Sequence, residues 1–414
     1  MRLAISGWLC ALLFSSVLAT CTDIVKRPQA QAPQPVSDVT QEASRWADSV
    51  YSRLTLEEKL AQMLMPALYS ESDPSSLRRL SDYADSTRVG GILLLKGDAE
   101  SAATIARYLD SIARQSPFTP GTFLAMDAET GLGMRLSDAP SFPWNRNIGD
   151  SVTEDLFYDY GAEVGREAAL TGINMILGPV VDVDRAENHG RGIMKSRSLG
   201  SDEQRVSTLS LAYIRGLESQ GVMGVPKHFP GHGPTTSDSH KTLPVVNASR
   251  EEIDSVDLLP FRTAIRNGLS CVMVGHLWAP ALDSVYRPAS FSPVIINDLL
   301  RKDMGFNGLV LVDAVGMKGA SGHTGVDAII AGADIIIAPS DTRKELDLLV
   351  NAVNEGRLPM SRVEETCKRI LFHKYLTLVS RDASGRVVAS PDILKERLHQ
   401  EAPSIISKLK GSKQ

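Results

Sequence analysis

Between residues 61 and 339 the chain alternates short apolar runs with stretches of helical periodicity, and this alternation constrains its fold more than any other feature. The runs GGILLL (90–95), TFLAMD (122–127), NMILGPVVD (174–182), GVPKH (224–228), CVMVGH (271–276), GLVLVD (308–313) and ADIIIAP (333–339) are bounded by Gly, Pro or polar residues. AQMLMPA (61–67) supplies an earlier one. Such runs read as strands buried on both faces, and the segments 99–114, 154–170, 202–219, 250–266 and 293–303 read as the helices that cover them. About eight such units over some 340 residues predict an α/β chain folded as one (β/α)8 barrel, in preference to an open doubly wound sheet. No Gly-rich phosphate fingerprint follows the first run, which counts against a dinucleotide-binding domain.

The ends of the chain read differently. Arg2, the apolar stretch LAISGWLCALLFSSVLAT and then Cys21 predict a secretory signal over residues 1–20. VLATC resembles a lipobox, so Cys21 is the expected lipidation site and the chain is expected to be exported and held on a membrane by that anchor alone. Cleavage without lipidation, or an uncleaved anchor, are the alternatives. Residues 21–44, rich in Pro and Gln, read as a tether, with order expected from about Trp46. Thr55 and Glu58 form a capping-box pair. The barrel domain is placed at 45–385, closed by a helix–turn–helix over 343–376, and residues 386–414 are expected to be a helical tail. Cys271 and Cys367 lie in apolar surroundings and read as small core residues, a bridge between them being left open. A net charge of −5 gives no reason to expect a nucleic-acid partner.

Asp127, Asp182, His228, His276 and Asp313 each fall at the C-terminal end of an apolar run. Those ends converge on one face of a parallel barrel, where active sites are built. One charged residue after a strand is ordinarily a helix cap; five in matching phase argue for a site. Asp313 follows a wholly apolar strand and reads equally as an N-cap or as a chemical group. In AMDAETGLGMR (125–135), Asp127, Glu129 and Arg135 bracket a Gly-rich turn. Arg and Asp there suit vicinal hydroxyls, or simply form a local ion pair. Arg197 in KSRSLGSD (195–202) has the same two readings. In KHFPGHGPTTSDSH (227–240), Lys227 and His228 end a strand, whereas Asp238 and His240 lie beyond two Gly and two Pro. A carboxylate two residues from an imidazole can fix its tautomer and raise its pKa, making a proton donor near neutral pH. A zinc site from His228, His232, Asp238 and His240 is the rival, but Pro230 and Gly231 break the helix that an H-x3-H pair needs. No metal or cofactor is expected.

The string KHFPGHG…DSH, together with GLVLVDAVGM, the D-x-E…R turn and GINMILGPVVDVD, resembles glycoside hydrolase family 3, in its branch of single-domain β-N-acetylglucosaminidases. The resemblance spans about residues 46–380. It implies an exo-acting retaining glycosidase with Asp313 as nucleophile, His240 as acid/base and Asp238 as the carboxylate paired with it. Lys227, His228, Asp127, Arg135 and Arg197 are implied to hold a glycan substrate ending in β-linked N-acetylglucosamine. Pro234 stands where the family usually has Asp, and Thr130 where Gly is common. Neither replaces a catalytic group. Another exo-glycosidase specificity, transfer to phosphate, or a barrel that binds glycan without turnover are the rival functions.

Overall fold

The apolar runs form parallel strands: β1 (Leu64–Met65, resuming after Pro66 as Ala67–Ser70), β2 (Gly91–Gly97), β3 (Phe123–Met126), β4 (Met175–Ile176), β5 (Met223–Gly224), β6 (Cys271–Val274), β7 (Leu309–Val312) and β8 (Ile335–Ile337). The computed structural model describes residues 36–70, 74–148, 152–185, 194–235, 237, 239, 242–380 and 388–411. The expected signal, Cys21, Asp238 and His240 lie outside the described residues.

Pro66 splits the first strand because it has no N–H to give the ladder, yet its carbonyl accepts from Leu93 at 2.9 Å. The first half of β1 therefore pairs with β8 (Leu64 opposite Ile336) and the second half with β2 (Ala67 opposite Leu93). At the opposite side, the Phe229 amide donates to the Met273 carbonyl (2.8 Å) and Phe229 in turn accepts from Gly275 (3.0 Å), joining β5 to β6. Eight strands thus close into the expected (β/α)8 barrel. All four residues of β3, β6 and β7 are buried, which is why those runs carry no polar alternation.

Two runs are shorter as strands than their sequence suggests. Of 174–182 only Met175–Ile176 pairs fully, with one further bridge from Val180 to Lys227. Pro179 and Pro226 withhold the amides that would extend β4 and β5. The covering helices fall where the periodicity places them: Ala99–Ala113 capped by Asp98, Glu154–Thr171 by Thr153, Glu203–Ser219 by Asp202. The Thr55–Glu58 capping box forms as read, and Ser249–Glu252 makes a second. Segment 250–266 is not one helix, because the turn widens at Ile253–Asp257 before Leu259–Arg266 resumes. Helices 154–171 and 203–219 cross at Gly161 and Gly216. A Cβ there would come 2.2 Å from the Tyr213 carbonyl oxygen and 2.3 Å from that of Tyr158.

The chain is helical from Val36, ahead of the Trp46 at which order was expected, so the Pro/Gln-rich stretch does not reach residue 44 as a tether. Ala43, Ala47 and Val50 supply the reason: spaced four and three apart, they are buried, the last two packing with Cys367 and Leu371 of helix Met360–Lys374. Cys271 and Cys367 are buried free thiols. The tail forms helices Pro391–Arg397 and Ala402–Gly411, and the Arg166 guanidinium donates to the Arg397 carbonyl at 2.9 Å. Among the described residues no helix is long and apolar enough to cross a membrane.

Candidate active site

At the C-terminal ends of the strands lies a cavity of about 500 Å³. Asp127, Arg135, Arg197, Lys227, His228 and Asp313 all line it, so these six residues, distant in the sequence, are brought to one cavity. Asp238 and His240 lie outside the described residues. Ser239, the residue between them, is buried in the cavity wall, and its carbonyl accepts from the Gly319 amide at 3.0 Å.

A charged lattice forms one wall. Lys227 Nζ, only 3% exposed, bridges Asp127 Oδ1 (2.8 Å) and Glu129 Oε1 (3.0 Å). Arg135 donates to Asp127 Oδ2 at 2.6 Å, so the local ion pair of the Gly-rich turn exists, and it faces the cavity. Arg197 forks onto both Glu129 oxygens, Nε at 2.8 Å and Nη2 at 2.7 Å. Three cations against two carboxylates leave this wall with one excess positive charge. Burial alone would raise the Asp127 and Glu129 carboxyls, but Lys227 with Arg135, and Lys227 with Arg197, hold both below the usual carboxylate range. Burial likewise works against the Lys227 charge, and Asp127 and Glu129 outweigh it, keeping its pKa raised.

A second set orients the histidines. His228 Nδ1 lies 2.7 Å from Asp182 Oδ2 and its Nε2 lies 3.3 Å from Arg197 Nη2. A guanidinium can only donate, so Nε2 accepts and Nδ1–H donates to Asp182, which fixes the tautomer. Asp182 Oδ1 also accepts from the backbone amides of His228 (3.2 Å) and His232 (2.6 Å). The Lys227–His228 peptide is cis. His232 lines the cavity and turns Nδ1 to the Thr235 hydroxyl; burial pushes its pKa down to about 4. Among the described residues no group of three His, Cys, Asp or Glu could hold a metal ion.

Asp313 ends β7, and its two sequence readings now separate. The next long helix, Gly325–Ala331, is capped by Thr324, so Asp313 is no helix cap. Among the described residues its Oδ1 accepts the amide of the following residue, Ala314, at 2.8 Å. Burial would raise its carboxyl, but its surroundings, the Ala314 amide and the Lys227 charge among them, hold it below the ordinary carboxylate value. The cavity is therefore bordered both by the Asp313 carboxylate and by the charged lattice, with Trp144 and Met317 as apolar lining.

Sequence reasoning named Glu129 and Asp182 but gave neither a role. Glu129 is the hub between Lys227 and Arg197, and Asp182 sets the His228 ring. The signal for both was present: Asp182 ends an apolar run in the same phase as Asp127, and Glu129 lies two residues past it.

The profile of the glycosyl hydrolase family 3 N-terminal domain matches residues 55–372. The chain is 32% identical over 344 residues to β-hexosaminidase A of Pseudoalteromonas piscicida, covering 75% of this chain and 57% of that protein. It is 29% identical over 368 residues to a β-N-acetylglucosaminidase/β-glucosidase of Cellulomonas fimi, covering 84% and 63%. Among solved structures it superposes on a family 3 β-N-acetylglucosaminidase from Paenibacillus sp. with a TM-score of 0.78 at 29% identity, over 87% of this chain and 69% of the other. The chain thus spans about three fifths of the length of those first two relatives.

Proposed function

The chain belongs to glycoside hydrolase family 3, and on that premise we propose that it is an exo-acting retaining glycosidase that removes terminal β-linked N-acetylglucosamine. The observation that carries the reading is Asp313: an ionised carboxylate at a strand end, capping no helix, in a cavity also lined by forked donors and acceptors suited to sugar hydroxyls. The N-acetylglucosamine preference rests on what the relatives' names say of them.

In this mechanism Asp313 attacks the anomeric carbon and forms a glycosyl ester, while His240, paired with Asp238, gives its proton to the departing glycosidic oxygen. His240 then accepts a proton from water as the water oxygen attacks the same carbon and releases Asp313. Imidazolium beside a carboxylate nucleophile is an attractive pair, whereas a second carboxyl would have to be kept protonated against repulsion. General acid–base help of this kind contributes about 10²–10⁴-fold. Support for His240 and Asp238 in this role comes from Ser239, the residue between them, which lines the cavity and is tied to the loop that follows Asp313. Asp127, Arg135, Arg197, Lys227 and His228 hold the sugar.

The leader and Cys21 support an exported, lipid-anchored enzyme acting on peptidoglycan fragments or related glycans. The test is release of phenol from an aryl β-N-acetylglucosaminide, repeated with the glucoside and with added phosphate. Asp313→Asn should abolish turnover, and His240→Ala should spare good leaving groups more than poor ones. An Asp313→Asn protein with wild-type rates would end the assignment.

A further inference from the structure

His276 takes no part in the mechanism above and does not line the cavity, yet it is wholly buried at the end of β6, beside Asp313. The geometry points to a role for it: resting on the reading of Asp313 as nucleophile, we infer that His276 is a positioning residue that locks the Asp313–Ala314 backbone and so aims the nucleophile's free oxygen.

Both ring nitrogens are committed. Nε2 lies 3.1 Å from the Ala314 carbonyl oxygen, which can only accept, so Nε2 carries the hydrogen. Nδ1 lies 2.6 Å from the hydroxyl of the equally buried Ser290 and therefore accepts from it. The ring plane is fixed as well. His276 stacks on Phe291 (centroids 5.6 Å apart, planes within 8°), and the Phe291 ring stacks on His323 (4.5 Å, 13°). His323 belongs to the segment that follows the nucleophile, so the ladder pins that segment to β6. A Cβ built on Gly319 would come 3.0 Å from the His276 Cβ, so the same segment lies directly against this residue.

The consequence for Asp313 runs through one peptide unit. Ala314 donates its N–H to Asp313 Oδ1 at 2.8 Å, and its C=O accepts from His276 Nε2–H and from the Met317 amide at 3.0 Å. Holding the carbonyl side of Ala314 limits rotation of the peptides around it. The N–H then stays on Oδ1, and Oδ2 is left to face the anomeric carbon. Without the imidazole the Ala314 carbonyl keeps only the Met317 amide (3.0 Å), a bond within its own segment, so the segment loses this tie to β6 and can turn, carrying the carboxylate with it.

The test pairs kinetics with spectroscopy on the full-length enzyme. His276→Phe keeps the stacking surface and removes both hydrogen bonds. Its kcat on an aryl β-N-acetylglucosaminide should fall about 10²-fold, as for an ångström-scale misplacement of a reacting group, with KM little changed. His276→Gln can return a donor toward Ala314 and should recover much of that loss, whereas a packing role alone would favour Phe. Nitrogen-15 NMR of the wild type should show a His276 signal with hydrogen on Nε2 and an accepting Nδ1. A His276→Phe enzyme as fast as wild type, an equal loss in KM and kcat for both variants, or a hydrogen on Nδ1 would overturn the inference. If the wild type released no phenol at all, the substrate reading would have failed, and the tautomer would still decide the place of His276.

Discussion

Lys227→Met is the substitution whose outcome the lattice specifies most closely. It keeps the length of the side chain and removes the ammonium that bridges Asp127 (2.8 Å) and Glu129 (3.0 Å). Glu129 retains the Arg197 fork and Asp127 retains a single Arg135 contact, so the wall's excess positive charge falls to zero. Breaking a buried pair by removing one partner costs about 3–5 kcal/mol, and that is the expected drop in unfolding free energy by urea titration. On the proposed function Lys227 also offers a charged hydrogen bond to a sugar hydroxyl. Such a bond is worth about 1.5–3 kcal/mol, which corresponds to a fall of roughly 10–150-fold in kcat/KM. A third effect follows from Asp313. Lys227 is one of the groups holding that carboxyl below its ordinary value, so its removal lets the pKa rise. As the proposed nucleophile Asp313 must be ionised, and the acid limb of the kcat/KM profile should therefore move to higher pH. The assay is phenol release from an aryl β-N-acetylglucosaminide from acid to neutral pH, with Lys227→Arg as the charge-retaining control. A folded Lys227→Met protein with unchanged kcat/KM and an unmoved acid limb would refute this account of the wall.

Two further predictions concern other parts of the chain. Lys374 is fully buried; its Nζ donates to Gln62 Oε1 at 2.7 Å above the Phe123 ring, and burial pushes its pKa down from 10.5 to about 7. The unfolded chain then holds this proton up to about 10.5 while the fold releases it near 7, so this group's stabilising contribution is present above 10.5 and lost as pH falls toward 7. Lys374→Met should remove that dependence and raise stability at neutral pH by a few kcal/mol, read as urea midpoints of variant and wild type; parallel pH profiles would contradict it. For the N-terminus, the protein expressed in a bacterial host should partition with the membrane and detergent phase, and Cys21→Ser should release it; an unchanged distribution would rule out the lipid anchor.

The barrel was legible because a parallel sheet covered on both faces needs wholly apolar strands, and LVLV, CVMV and FLAM allow few other placements. Strand ends marked the site for the same reason: Asp127, Asp182, His228, His276 and Asp313 interrupt those runs at equivalent heights. What could not be read were relations between loops. The Arg197–Glu129 fork joins residues 68 apart in the chain, and Ser290 reaches His276 from another turn. Such contacts depend on how loops fold over the barrel mouth, which no local period encodes. Helix Val36–Tyr51 was missed because the Pro/Gln composition just before it suggested a tether, although Ala43, Ala47 and Val50 already carried its apolar stripe.

Charge balance gives these pieces a common purpose. The lattice of Asp127, Glu129, Arg135, Lys227 and Arg197 carries one positive charge in excess, and Asp313, which lines the same cavity, carries one negative. A lone buried carboxylate would take up a proton rather than stay charged. Lys227 and the Ala314 amide are among the groups that hold it ionised, and none of the three cations of the wall forms an ion pair with Asp313 among the described contacts. The carboxylate stays charged but is not quenched by a direct ion-pair partner among the described residues, and on the proposed reading of Asp313 as nucleophile its oxygen is free to attack. Positive charge also develops on the sugar as the glycosidic bond breaks. The site then has to hold that charge beside the cationic wall, and proximity to Asp313 offsets the repulsion. A cation placed directly on Asp313, for instance by Ala314→Arg, should therefore leave the carboxylate ionised but slow turnover, so that protonation state and rate separate when pH profile and kcat are measured together.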